Sequence, residues 1–345
     1  MKISYIITTF NRGEKVLKTI QSILQQSKQL EEIEVIVVDG GSKDNTVALV
    51  QELAKSEPKL KLIVEDAPGV MPSRHSGAKK ATGEVLVYIE DDVQVSNTHV
   101  KSILEIFSNG KNLMATGPCE PDYLSKDFPN WYQSLWFTDP SIPNSKINGW
   151  FSLMNLGDKI IDVDPSYVWA LNFAIRKDLL FELGGFHPDL SPPKWKVFQG
   201  DGESGLSYKA AEKSILAIYH PGLKVLHEIQ EDRFNTKYLE RRFFFQGISD
   251  SFSELRKSKK VKSLLKNYII LFYISSRLFK KKLFRNHISV DLICEKARLK
   301  GYLFHQRSFR YDKTVRDWVL MDTYIDKAVP NPIPIRIVDK IFLMV

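Results

Sequence analysis

At 345 residues, 43% hydrophobic and 26% charged, the chain has the composition of an ordered globular protein; disorder is excluded, and two domains or one large domain with an appendage are expected. Two cysteines, Cys119 and Cys294, exclude a disulfide framework and a CxxC metal site and imply reduced thiols in the cytosol. The net charge of +8 is unevenly spread: residues 254–316 carry 18 Lys and Arg against 4 Asp and Glu, leaving 31 against 37 elsewhere, so an acidic body carries a basic C-terminal segment that needs its own partner.

Lys2–Thr9 is a short apolar, β-branched run and reads as a strand, not as a signal peptide. Val16, Leu17, Ile20, Ile23 and Leu24 give Gly13–Gln26 helical spacing. Glu34–Val38 is continuously apolar, as in a strand buried on both faces, and ends in the turn Asp39-Gly40-Gly41-Ser42. Asp44 or Asn45 is expected to cap a helix running to Lys55. Leu60–Glu65 is a third strand, Ser73–Thr82 a helix stopped by Gly83, and Glu84–Ile89 a fourth strand ending in Glu90-Asp91-Asp92. Repeated βα units with buried strands predict a largely parallel sheet with helices on both faces.

Residues 114–164, rich in Trp, Pro and Asn, read as irregular loops and short strands over a cleft. Order returns at Val168–Arg176, followed by helices at Lys177–Leu183 and Glu203–Ala211 and strands at Ile215–Ile218 and Lys224–Leu226. Beyond Asp232 the pattern is helical: Lys237–Phe245, Leu264–Lys282, Val290–Gly301 and Thr314–Tyr324. Three prolines break Pro330–Pro334 before an apolar tail, Ile335–Val345, that could pack against a partner; the oligomeric state is not legible.

In open parallel sheets ligands bind beyond the carboxyl ends of the strands. Three such ends carry polar residues here: Thr8-Thr9-Phe10-Asn11-Arg12, Asp39–Asn45 and Glu90-Asp91-Asp92. Three consecutive acids repel one another, and a hard divalent cation, Mg2+ or Mn2+, that also holds a substrate pyrophosphate would relieve them; the alternative is a solvated acidic turn. No GxxxxGK[ST] and no GxGxxG follows the first strand, so a P-loop and a dinucleotide-binding oxidoreductase are not expected.

Four stretches in order resemble the family-2 glycosyltransferases: Ser4–Arg12, Val35–Thr46, Gly83–Asp92, and Gly184-Gly185-Phe186 with the acid-rich loop after it. The resemblance covers about residues 3–230, with two departures: the usual Asp-Asp-Gly-Ser turn is Asp39-Gly40-Gly41-Ser42, and the DxD motif opens on Glu90. It implies a GT-A fold, that is, a Rossmann-like, mostly parallel central sheet flanked by helices. The catalytic domain would span 1–230, with a nucleotide-binding half at 1–112 and an acceptor half at 113–230, followed by a basic, mainly helical region at 231–345. It implies an inverting transfer from a nucleotide-diphosphate sugar, UDP by preference, to a hydroxyl of a glycan or lipid-linked acceptor.

Carried over residue by residue, the resemblance assigns the nucleotide to Thr8, Asn11, Arg12, Asp39, Arg74 and Asp91. Asp92, Glu90 and His227 become metal ligands. Trp169 and Asn172 fall on the acceptor side. A displacement by a hydroxyl needs a carboxylate to take its proton, and the resemblance puts Glu203 there, or Asp201 if the register slips by two. Plainer roles stand beside these: a backbone-satisfying hydroxyl for Thr8, a pairing with Asp39 for Arg74, a structural histidine at 227, a core indole at Trp169, and a helix-dipole acid at Glu203. A catalytically silent binding subunit and a nucleotidyltransferase are the competing functions.

Within the basic segment, Leu264–Lys282 has about a dozen uninterrupted apolar residues, too few to span a bilayer, which takes about 20. Aromatics flanked by lysines suit an anionic membrane surface, which predicts a cytoplasmic protein attached peripherally to the inner face of the membrane; packing on the catalytic domain is the alternative. The segment lacks any nucleic-acid-binding module.

Overall fold

The computed structural model describes residues 1–27, 32–123, 128–189, 192–284 and 289–334. The apolar tail at 335–345 lies outside them. The chain opens with β1 (Ile3–Thr9), α1 (Gly13–Ser27), β2 (Ile33–Asp39), α2 (Thr46–Ser56), β3 (Leu60–Val64), α3 (Val70–Lys80) and β4 (Val85–Glu90). β1 pairs in parallel with both β2 and β4, and β2 with β3. Alternate residues face opposite layers, as the pleat requires. Tyr5, Ile7, Val35, Val37, Val85 and Val87 share a core with Val16, Ile20 and Ile23 of α1. Ile6, Ile36, Val38, Leu86 and Tyr88 share the other with Met71 and Ala78 of α3. The continuously apolar strands are thus explained by burial on both faces.

Next come β5 (Val93–Val95), α4 (His99–Phe107), β6 (Met114–Thr116), β7 (Cys119–Tyr123), α5 (Asn130–Gln133), β8 (Lys146–Asn148), β9 (Leu153–Asn155) and β10 (Ile161–Val163). Then follow β11 (Asn172–Arg176), α6 (Lys177–Glu182), α7 (Gly202–Glu212), β12 (Ala217–Tyr219) and β13 (Val225–Ile229). The main sheet has eight strands in the order β10-β12-β6-β11-β4-β1-β2-β3, with β11 antiparallel to β4. The α/β architecture expected of a GT-A fold is present. The strand order reverses between β1 and β4, so their carboxyl ends, Thr9 and Glu90, flank the crevice where such sheets bind ligands.

Two readings are refined and two change. The short strands expected in the 114–164 stretch are present, and β7, β8 and β9 join β5 and β13 in a second, five-stranded sheet. Its strands are three to five residues long, too short to leave a periodic signature. His227 does not follow a strand but lies inside β13. Gly83 is not the cap of α3, whose C-cap is Ala81; a Cβ at Gly83 would lie 2.7 Å from the Ser4 amide nitrogen, so glycine is required by close packing. Asp44 and Asn45 share the start of α2: Asn45 holds the cap position, while the Asp44 carboxylate accepts from the Thr46 amide at 3.0 Å.

The C-terminal region is helical: α8 (Thr236–Ser258), α9 (Leu265–Leu283), α10 (Val290–Tyr311) and α11 (Lys313–Val319). α8 runs thirteen residues past its expected end at Phe245, and α11 stops five short of Tyr324. Ile248, Phe252, Leu255, Phe304, Phe309 and Trp318 share one core with Phe198 and Leu206, so the core runs unbroken across residue 231.

α8 and α10 cross with backbones in contact. A Cβ on Gly247 would fall 1.9 Å from the Arg298 carbonyl oxygen, and one on Gly301 1.9 Å from that of Phe244. Backbone cannot step aside as a side chain can. Alanine improves helix propensity by about 1 kcal/mol, but prying two packed helices apart costs about 1–3 kcal/mol or more. Gly301→Ala is therefore expected to lower stability by about 1–2 kcal/mol and Tm by a few degrees; a rise in Tm would show that the helices do not cross this closely.

Candidate active site

Three guanidinium groups organise the crevice. Arg12 follows β1, just past Asn11, whose backbone takes the left-handed conformation (φ 53°). Its Nη1 donates to Asp91 Oδ1 at 2.7 Å and to Asp92 Oδ2 at 3.0 Å. Arg233, in the short turn Glu231–Arg233, donates from Nη2 to Asp92 Oδ2 at 3.0 Å and lies 3.0 Å through Nη1 from His227 Nε2. Arg74, on α3 and only 3% exposed, meets three acids: Glu90 Oε1 at 2.9 Å, Asp189 Oδ2 at 3.4 Å and Glu203 Oε2 at 3.7 Å.

The Gly-Gly-Phe motif explains how Arg74 is aimed. Gly184 and Gly185 both have positive φ, +81° and +76°, which only glycine adopts without strain, and a Cβ on Gly185 would lie 2.5 Å from His75 Nε2. This tight turn lets the Phe186 amide donate to His75 Nε2 at 2.9 Å and puts the Phe186 ring 5.2 Å under the Arg74 guanidinium. Burial drives the His75 pKa down to about 3, so the ring is neutral and can accept that bond.

Glu203 sits in the first turn of α7, about a quarter exposed. Burial and then the neighbouring Asp189 raise its pKa, against the pull of Arg74. Asp201, two residues earlier, points away from the charged cluster. Its Oδ1 lies 2.6 Å from His187 Nδ1 and its Oδ2 accepts from Ser253 Oγ of α8 at 2.6 Å. Gly205 makes room for this pair, because a Cβ there would be 1.9 Å from His187 Nδ1. Asp201 thus anchors the loop that presents Glu203.

Asp39 is fully buried. Its Oδ1 accepts from the Gly41 and Ser42 amides at 3.0 and 2.8 Å, and its Oδ2 from Ser42 Oγ at 2.5 Å. Ser42 Oγ in turn accepts from the Asn11 amide at 2.7 Å, and Asn11 Oδ1 from the Lys43 amide at 2.7 Å. The contacts therefore run from Glu203 through Arg74 to Glu90, along the acidic triplet to Arg12, and through Asn11 and Ser42 to Asp39. Arg74 does not pair with Asp39.

The two aspartates of the triplet are pushed apart. Burial raises the pKa of Asp91 to about 6, despite Arg12 and a 2.8 Å hydrogen bond donated by Thr9 Oγ1. Asp92 is just as buried, yet His227 beside it and the Arg233 and Arg12 charges hold it well below the usual carboxylate range. Neighbouring acids whose environments oppose each other in this way make the triplet a candidate functional site.

No three His, Cys, Asp or Glu side chains among the described residues are grouped as a metal cage. Asp92 and His227 do form a pair, with Oδ1 3.6 Å from Nε2. Glu90 is turned to Arg74 instead. Thr8 is half-buried at the end of β1, where its neighbour Thr9 supplies the hydroxyl that reaches Asp91. Asn172 is built into the interior: its amide donates to the Leu223 carbonyl at 2.6 Å and its Oδ1 lies 3.1 Å from His99 Nε2. Trp169 is half-buried and donates to the Ser166 carbonyl at 3.0 Å. Neither belongs to the charged chain. Sequence reading missed Asp189 and Arg233. Asp189 lies in the acid-rich loop after Gly-Gly-Phe; Arg233 stands on a three-residue turn with no sequence signature.

Residues 4–180, just over half of the chain, match the family described as glycosyl transferase family 2. The glucosyl-dolichyl phosphate glucuronosyltransferase of Haloferax volcanii is 23% identical over 288 residues, covering 81% of this chain and 86% of that protein. The GalNAc(5)-diNAcBac-PP-undecaprenol beta-1,3-glucosyltransferase of Campylobacter jejuni is 29% identical over 111 residues, 32% of this chain and 35% of that one. Among solved structures, the Pyrobaculum calidifontis mannosyltransferase PcManGT in complex with GDP-Man and Mn2+ aligns with a TM-score of 0.48 at 16% identity, covering 92% of this chain and 72% of that one. The family match takes in β1 through β4, the very strands whose ends carry Arg12, Asp39 and the acidic triplet, and the chain accordingly belongs to the family-2 glycosyltransferases.

Proposed function

We propose that this glycosyltransferase moves a sugar from a UDP-sugar to a hydroxyl of a lipid-linked glycan in one inverting displacement. Glu203 takes the hydroxyl proton, and Asp92 and His227 hold a Mn2+ or Mg2+ ion. The observation that carries the reading is the unbroken line of contacts from Glu203 through Arg74 to the triplet and on to Asp39. A base, a diphosphate site and a nucleotide site separated by single side chains are what such a transfer needs. The lipid-linked acceptor is inferred from the dolichyl and undecaprenol compounds in the names of the two relatives.

The residues present fit a divalent cation. Asp92 is ionised at neutral pH, and the Arg233 guanidinium, a donor only, makes His227 Nε2 an acceptor, so that its lone pair would serve a cation once Arg233 turns away. One or two protein ligands are the usual share when a substrate diphosphate and water complete the shell. When bound, the ion would offset the charge that develops on the departing diphosphate.

The chain's own side chains do the rest. Glu203, raised above an ordinary glutamate, is better matched to accept a proton near neutral pH, and Arg74 holds it in place. Arg12 and Arg233 supply guanidinium charge on either side of Asp92 and can turn to phosphate oxygens. Asp39 and Asn11 define the turn against which the base and ribose would lie.

Glu203→Gln is expected to lower kcat by about 10²–10⁴-fold with donor binding retained. In the wild type, kcat/KM should climb with pH through a pKa above the ordinary 4.5 of glutamate and then level off, because only the carboxylate can take the proton; the Gln variant should lose that limb. A flat profile in the wild type would remove Glu203 from the base role. Asp92→Asn should abolish Mn2+ binding, followed by calorimetry in the presence of UDP, while the fold survives; undiminished affinity would place the cation elsewhere. Asp91, with its folded pKa near 6, is strained when ionised at pH 7, and the strain fades as pH falls through 6. Asp91→Asn should therefore stabilise the fold by about 1–3 kcal/mol at pH 7 and less at pH 5, while activity falls. A lower Tm at pH 7 would contradict this.

A further inference from the structure

α9 is apolar on two opposite sides. Its inner side buries Leu271 and Ile274, and the Tyr268 hydroxyl accepts from Arg307 of α10 at 3.2 Å. Its outer side is a stripe of Leu265, Ile269, Phe272, Phe279 and Leu283, each at least 60% exposed. At 100° per residue these five lie within about 80° of arc, one stripe from end to end of the helix interrupted at Ser276. Helices that face water on one side are normally polar there. Five large side chains in one exposed row exceed the scattered apolar residues of an ordinary surface and mark an interaction site.

Charge selects the occupant. Between Leu255 and Phe284 stand ten Lys and Arg and no Asp or Glu. Lys266, Arg277, Lys280 and Lys282 are exposed along or beside the ridge, and the Arg277 guanidinium lies 5.6 Å from the Tyr273 ring centre. A second copy meeting this face about a two-fold axis would set these cations against their own images. An anionic bilayer complements both features, with acyl chains for the ridge and headgroups for the lysines. No described helix is long and apolar enough to cross a membrane, so the helix lies in the plane of the surface.

We propose that α9 is an interfacial membrane-docking helix, its Leu265–Leu283 ridge inserted among lipids and its basic residues on anionic headgroups. The proposal deepens the reading of a lipid-linked acceptor and rests on it for its purpose, but not for its test. The full chain is floated with vesicles of phosphatidylcholine alone or mixed with phosphatidylglycerol, at low and high salt, beside Phe272→Ser/Phe279→Ser and Lys280→Glu/Lys282→Glu. These positions are exposed, so unchanged Tm and circular dichroism are expected. Binding should require phosphatidylglycerol and weaken with salt, and each pair should reduce it at least roughly tenfold. Wild type that ignores anionic vesicles overturns the proposal, as does binding undiminished in the Phe pair, or a dimer in light scattering that the Phe pair dissolves while vesicles are ignored. Donor hydrolysis without vesicles is read in parallel. Its loss with vesicle binding intact counts against the transferase reading alone, and loss of binding with hydrolysis intact counts against the docking alone.

Discussion

The site depends on one buried cation. Arg74 is 3% exposed and has Glu90, Asp189 and Glu203 around it. A guanidinium in such a place cannot be left unpaired, since removing a partner from a buried ion pair costs about 3–5 kcal/mol. The constraint therefore works in both directions. Arg74 needs the carboxylates, and they are held in fixed relation because each needs Arg74. Through that group the end of β4 meets the loop after Gly-Gly-Phe and the first turn of α7 at one point, although β4 lies about a hundred residues before both in sequence. The neutral His75 and the Phe186 ring make the pocket that keeps the guanidinium from turning elsewhere.

Around this cation the charges do not balance. The ion pairs described for Glu90, Asp91, Asp92, Asp189 and Glu203 are shared among three guanidinium groups, Arg12, Arg74 and Arg233, while Asp39 accepts from Gly41 and Ser42. The excess is carried unequally: Asp91 resists ionisation, while Asp92, with two guanidinium groups on one oxygen, is ionised most easily. A carboxylate that must hold its charge beside one that sheds it easily is an arrangement ready to receive a cation at one atom rather than over a diffuse acidic patch. Arg12 and Arg233 both stand on Oδ2 of Asp92, while its Oδ1 faces His227 Nε2 at 3.6 Å.

What could be read from the sequence follows from how each feature is encoded. The β1–β4 half was legible because strands buried on both faces leave unbroken apolar runs, and their polar ends stand out by contrast. Glu203 and Arg74 were found through motif resemblance, and the structure brings both into one charged cluster. The second sheet was hidden because strands of three to five residues carry no period. Arg233 was hidden because its role comes from the path of the chain after β13, not from any local pattern. The choice between Thr8 and Thr9 turns on the pleat, since adjacent residues point to opposite faces and only Thr9 reaches Asp91. Asn172 has a polar side chain fully used by the interior, which composition cannot distinguish from one waiting for a substrate.

The C-terminal helices are more than an appendage to this chemistry. Ser253 of α8 holds Asp201, two residues before the candidate base; the Trp318 indole donates to the Phe198 carbonyl at 2.9 Å; and Arg256 donates to the Val319 and Met321 carbonyls at 2.7 and 2.6 Å. The loop carrying Glu203 is thus pinned from the helical side as firmly as from the sheet. α8 in turn crosses α10 through glycines at backbone contact, and α10 supports α9. A tight glycine crossing has little freedom to hinge, because any rotation of one helix drives its backbone into the other. An orientation imposed on α9 would therefore be passed through α10 and α8 to Asp201 and the start of α7. With the lipid-linked acceptor and the α9 docking proposed above, that coupling would fix the height of Glu203 above the lipid, where the acceptor hydroxyl would be held.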